Sequence, residues 1–187
     1  QWGDMVAGMV GAFVNMPPND SLAGWQPESH PGGRGAMGFD GSARAIVVDP
    51  NPLHSHLERF TLSAWIYPRS FGTTGRSRIL DKTGIAASGG FYLGLNTVDA
   101  VTRAVEFGVD GETLMIAMSA NSAIDVQTWT HVTVVWTGSF LRSNVQIYIN
   151  GVLIEVQAGA IGQDGLPPIN PDTDNPLYLG NRDALDR

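Results

Sequence analysis

The chain has 187 residues, 43% hydrophobic and 16% charged, enough apolar material for one substantial core and short for two independent domains. Eleven basic residues against eighteen acidic ones give a net charge of -7, and the few lysines and arginines are scattered, so no nucleic-acid footprint is present. The absence of cysteine excludes disulfides, zinc-thiolate centres and thiol catalysis together, while 23 glycines and 11 prolines suit many short elements joined by tight turns.

In chain order, the opening stretch 2–14 is apolar but interspersed with glycine, lacks a basic start and is too short to span a bilayer, so it reads as mature protein. Residues 15–35 read as a long irregular stretch, with Pro17, Pro18, Pro27 and Pro31 giving it a defined path. Strands are predicted at 36–39 and 45–48, separated by the Asp40-Gly41 turn signal. From Phe60 the alternation is strict: Phe60, Leu62, Ala64 and Ile66 share one face and Thr61, Ser63, Trp65 and Tyr67 the other, until Pro68 ends the strand. Strands at 78–82, 90–95, 104–109 and 113–118 follow, punctuated by Gly89-Gly90 and Asp110-Gly111.

The same period of two runs through 129–136, where Thr130, Val132, Val134 and Trp136 form the more apolar, core-directed face. Residues 144–149 and 152–157 flank Asn150-Gly151, the dipeptide that best tolerates positive φ at both centres of a type I′ turn, and so predict a hairpin. A second long irregular stretch, 160–176, holds Pro167, Pro168, Pro171 and Pro176 and leads into a strand at 177–179. No segment keeps apolar residues at helical spacing between a cap and a terminating glycine. The fold class is therefore all-β, a single two-sheet antiparallel sandwich or jelly roll, because a parallel sheet would need crossover helices.

Candidate chemistry is sparse. Glu106, Glu112 and Glu155 stand alone among apolar or turn residues, Glu28 and Glu58 lie in loops, and the paired carboxylates of a glycosidase are not evident. Nucleophile-elbow and phosphate-loop patterns are also missing. His30, His54, His56 and His131 offer no zinc-finger or helical pair. Asp164, Asn170, Asp172, Asp174 and Asn175 collect oxygens without calcium-loop spacing and read as a solvated loop. Trp25, Phe71 and Tyr92 lie where a loop or strand start can present a ring to a sugar, whereas Trp65, Trp129 and Trp136 are expected to pack against the sheets.

The string Phe39-Asp40-Gly41-Ser42, followed by Phe60-Thr61-Leu62-Ser63-Ala64-Trp65-Ile66-Tyr67-Pro68, is similar to the first half of a laminin G-like domain of the concanavalin A-like lectin/glucanase class. Trp129-Thr130-His131-Val132, then Val145-Gln146-Ile147-Tyr148-Ile149-Asn150-Gly151 and Leu177-Tyr178-Leu179-Gly180-Asn181, resemble its later strands in the same order. The resemblance implies a calcium ligand near the Asp-Gly turn, which makes Asp40 the metal candidate and calcium the candidate cofactor. It also implies an apolar strand before the glycine-rich segment 5–14 and a closing strand after Asn181 with an Asp-Glu pair, and neither outer strand is evident in the sequence. Open edges, or strands supplied by another chain, are therefore expected.

The function expected on this basis is that of a non-catalytic module, secreted or at a cell or virion surface, that binds a glycan or protein through rim loops with Trp25 and Tyr92 as ligand-binding rings. A structural subunit of an appendage, fibre or virion, self-associating through its sheet edges, is the alternative. A nucleic-acid partner and a membrane span are not expected.

Overall fold

A computed structural model describes residues 2–3, 9–16, 24–30, 34–70, 76–84, 89–96, 104–120, 123–156, 164–166 and 172–181. Its strands are β1 (Trp2–Gly3), β2 (Val10–Val14), β3 (Gly24–His30), β4 (Arg34–Gly38), β5 (Ala45–Val48), β6 (Phe60–Ile66), β7 (Arg76–Asp81), β8 (Phe91–Asn96), β9 (Ala104–Val109), β10 (Met115–Met118), β11 (Thr130–Trp136), β12 (Val145–Ile149), β13 (Val152–Ile154) and β14 (Leu177–Leu179). Eight form one sheet in the order β1-β2-β5-β14-β7-β8-β9-β10, four form a second in the order β13-β12-β11-β6, and β3 and β4 pair as a hairpin.

Side-chain alternation explains how the two large sheets meet. Phe91, Leu93 and Leu95 of β8 and Val105, Phe107 and Val109 of β9 share one buried cluster with Val132, Val134 and Trp136 of β11 and Val145, Ile147 and Ile149 of β12. Phe60 of β6 reaches across to the opposite sheet, its ring 4.4 Å from Phe91 and 6.0 Å from Phe107. Each such side chain, fully withdrawn from water, contributes about 1.5–3 kcal/mol.

The two sheets differ in their outer faces. In β6 burial alternates, with Thr61, Ser63 and Trp65 exposed, as expected of a sheet with one wet side. In β8, β9 and β10 every position is buried. The polar residues on that second face, Asn96 and Glu106 among them, are therefore enclosed.

Local chemistry sets the turns. Asn150 and Gly151 take φ values of 51° and 80° between β12 and β13, and Asn150 Oδ1 accepts the backbone N–H of His131 at 2.9 Å. The strands predicted at 45–48, 104–109 and 177–179 occur with those bounds, and the others lie within a few residues of their predicted ends.

Three expectations need correction. Residues 10–14, read as part of a glycine-rich segment and not as a strand, form β2, which pairs antiparallel with β5, and β1 pairs with β2 in turn. The N-terminal side of the sheet is thus extended by this chain itself, while the closing strand expected after Asn181 lies outside the described residues. The stretch 15–35 contains β3, whose residues 24–26 pair with β4 from Gly38 back to Ala36. Finally, Asp172 is not solvated. The fully buried Lys82 ammonium donates to the carbonyls of Asp172 at 2.6 Å and Asn175 at 3.1 Å and lies 3.0 Å from Asp172 Oδ2, and Asp172 Oδ1 accepts the N–H of His56 at 2.8 Å. A buried ammonium must find three acceptors, and this turn supplies them.

Candidate functional site

The wet face of the four-stranded sheet carries a ladder of rings. β6 and β11 pair so that Trp65 lies opposite His131 and Thr133 opposite Ser63, one step of the pleat apart. The Trp65 and His131 rings are 5.0 Å apart, and just beyond the strand ends Tyr67 and Trp129 stand 5.4 Å apart. Trp65 is 52% and Tyr67 41% exposed, far above the usual fate of large aromatics. Trp65 was expected to pack inside. The alternation that sends Leu62 and Ile66 to the core sends Trp65 outward instead.

Polar groups flank these rings. Ser63 Oγ shares a 2.8 Å hydrogen bond with His131 Nε2 and accepts from Thr133 Oγ1 at 3.4 Å. The β3–β4 hairpin leans on the same face: the His30 ring packs edge-on against Trp65 at 5.1 Å and Trp129 at 4.9 Å. Trp25, on the same hairpin, is 63% exposed, and a Cβ placed on Gly35 would lie 2.2 Å from its indole, so that position needs glycine for the ring to lie flat. Trp25, one of the two candidate ligand rings, is thus open to solvent.

Tyr92 is not. It is 2% exposed, on the enclosed face of the eight-stranded sheet, where its hydroxyl donates to Glu106 Oε1 at 2.7 Å and the Arg78 guanidinium lies 3.6 Å above its ring. Asn96 Nδ2 donates to the other Glu106 oxygen, and Arg78 Nε is 2.8 Å from Asp81 Oδ2. Glu106, which seemed solitary in sequence, is therefore held by two side chains of β8, with Arg78 Nη1 of β7 3.9 Å from its Oε1. The missed signal is positional: Arg78, Tyr92, Asn96 and Glu106 all sit out of phase with the core-facing Phe91, Leu93, Val105 and Phe107. Phe71, the remaining candidate ring, lies outside the described residues.

The profile of a laminin G-like family, described as the concanavalin A-like lectin/glucanases superfamily, matches residues 40–187. The chain belongs to this family. A comparison with curated proteins gives no match. Laminin G-like domains are in general carbohydrate- or protein-binding modules, typically non-catalytic and often extracellular. Among the described residues of this laminin G-like domain, no helix is long and apolar enough to cross a membrane, which leaves β-barrel membrane proteins unaddressed.

The calcium implied by the resemblance does not fit the laminin G-like domain's Asp40 turn as built. Asp40 Oδ1 accepts from Ser42 N at 3.0 Å and Ser42 Oγ at 2.6 Å, and its other oxygen pairs with Arg44 at 3.1 Å. Burial nudges this carboxyl upward, but the Ser42 hydrogen bonds and the Arg44 charge outweigh it and hold the group below its ordinary value. A hard cation takes about six to eight oxygens and no guanidinium. Among the described residues, no group of three His, Asp or Glu side chains is placed to hold a metal ion.

Proposed function

We propose that this laminin G-like domain is a non-catalytic glycan-binding module of a secreted or surface-displayed protein, with the Trp65, Tyr67, Trp129 and His131 ladder as its platform. The observation that carries the reading is the exposure of Trp65 and Tyr67 side by side on an otherwise orderly sheet face. Sugar rings present flat C–H faces that stack on such indoles and phenols, and the Ser63 and Thr133 hydroxyls beside them match sugar hydroxyls. Trp25, on the hairpin that leans on this face, adds a further exposed ring. Glycoside hydrolysis needs two carboxyl groups about 5–10 Å apart, whereas the side chains seen hydrogen-bonded beside the rings among the described residues are the hydroxyls of Ser63 and Thr133.

A glycan array probed with and without calcium tests the reading, followed by calorimetry on the best glycan. Trp65→Ala and Tyr67→Ala are each expected to weaken binding about tenfold or more, while both variants, altered at exposed positions, keep a melting temperature near that of the parent. Retained affinity in both variants, or no glycan bound in either condition, would overturn the platform.

A further inference from the structure

A cavity of about 290 Å³ opens at one end of the sandwich, remote in register from the ladder, where β6 and β8 begin and β9 and β11 end. Its volume is near the lower bound of about 300 Å³ for small-molecule sites. Phe60, Phe91, Trp136 and Phe140 form its walls. The Phe60 and Trp136 rings are 5.3 Å apart and Trp136 and Phe140 5.8 Å apart, nearly perpendicular. Trp136 spends its indole N–H on the Ser139 carbonyl at 2.7 Å, which ties down the 138–140 loop and leaves the wall without a donor of its own. Gly138, at φ 91°, lets that loop pass so close to Glu58 that an added Cβ would lie 2.2 Å from its carbonyl oxygen.

The lining of this apolar chamber is also acidic. Among the described residues, Glu58, Asp110 and Asp172 line it, with His56 and no lysine or arginine. Lys82 neutralises Asp172. Asp110 has no cation paired with it among the described residues, and its backbone is fixed by the 2.9 Å bond from its N–H to the Gly90 carbonyl. Burial, reinforced by the nearby Asp81 charge and opposed by the Gly111 amide, pushes its carboxyl above the ordinary value. Among the described residues, this half-buried acid shares its cavity with aromatic rings and has no paired cation. Among the described residues no three His, Asp or Glu side chains are placed to hold a metal ion, whereas a weakly hydrated organic cation gains from both the rings and the carboxylates.

We propose that this cavity is a second binding site, for an organic ammonium group such as a trimethylated amine, with Phe60, Trp136 and Phe140 around its methyls and Asp110 and Glu58 balancing its charge. The test titrates the intact chain, by calorimetry, with choline, with Nε-trimethyl-lysine and with 3,3-dimethylbutanol, the neutral isostere of choline. At least one of the two cations is expected to saturate the site about tenfold or more tightly than the neutral alcohol, and the better of the two tells a free headgroup from a modified side chain. Asp110→Asn, which removes a charge unpaired among the described residues, is expected to weaken the cation about tenfold, and Phe140→Leu to weaken it as well. Trp65→Ala, in the glycan platform, leaves it unchanged. Absence of saturation by both cations, equal binding of the neutral alcohol, full affinity in Asp110→Asn, or loss in Trp65→Ala would each overturn the proposal.

Discussion

The Asp40 carboxyl and the His54 imidazole are both held below their ordinary values, the first because its charged form is hydrogen-bonded and paired, the second because burial and the Lys82 charge disfavour its charged form. His54 is buried, its Nε2 is 3.2 Å from the Asp49 carbonyl, and burial followed by the Lys82 charge holds its imidazole below the usual value of 6.5. The folded chain thus binds fewer protons here than the unfolded one, so stability is full above 6.5 and declines as pH falls through that value. His54→Gln, which keeps a donor for Asp49, is expected to flatten this decline in urea midpoints measured between neutral and mildly acidic pH; an unchanged slope would place its origin elsewhere. At Asp40, whose oxygens already hold Ser42 and Arg44, adding calcium and then a chelator is expected to leave the melting temperature within about 1 °C, and a shift several times larger would show that the turn can be rebuilt around a cation. Single residues also mark where sequence reading stops. Parity along the strand says that Trp65 and Ile66 face opposite ways, and likewise Tyr92 and Leu93. Whether the side opposite the core is wet, as at Trp65, or enclosed, as at Tyr92, depends on which segments cover each sheet, and nothing local to either residue encodes that.

At the scale of elements, the β12–β13 hairpin was the most legible feature, because its cause is confined to two residues. Gly151 sits at φ 80° with nothing within 4 Å of the place a Cβ would occupy. Gly151→Ala is therefore expected to cost about 1–2 kcal/mol through the left-handed backbone alone, read as a lowered urea midpoint with unchanged m-value. The core strands were legible for a related reason, since the buried set 130, 132, 134 and 136 of β11 follows from period two. β2 and β3 were not. Glycine and proline dilute their patterns, and their strand character comes from partners: β5 for the first and β4 for the second.

At the scale of the whole molecule, the joining contacts span long separations in sequence. Lys82 meets Asp172 across 90 residues, and two buried charges that look unrelated in sequence become a single clamp. Lys82→Ala is expected to cost about 3–5 kcal/mol by stranding the Asp172 carboxylate, measured by urea unfolding, and a loss below about 1 kcal/mol would show that water reaches the acid. The ladder and the end cavity are likewise products of assembly, each combining residues from separate strands or loops. The sheet order has one more consequence. β14 is the last strand in sequence among the described residues, yet it lies between β5 and β7 and pairs with both, closing a gap between segments made about 95 to 135 residues earlier. During synthesis those two strands wait with bare backbone edges until Leu179 has left the ribosome, so the sheet is completed from its middle. A nascent chain halted before Leu177 has every residue of the ring ladder and no continuous sheet behind it.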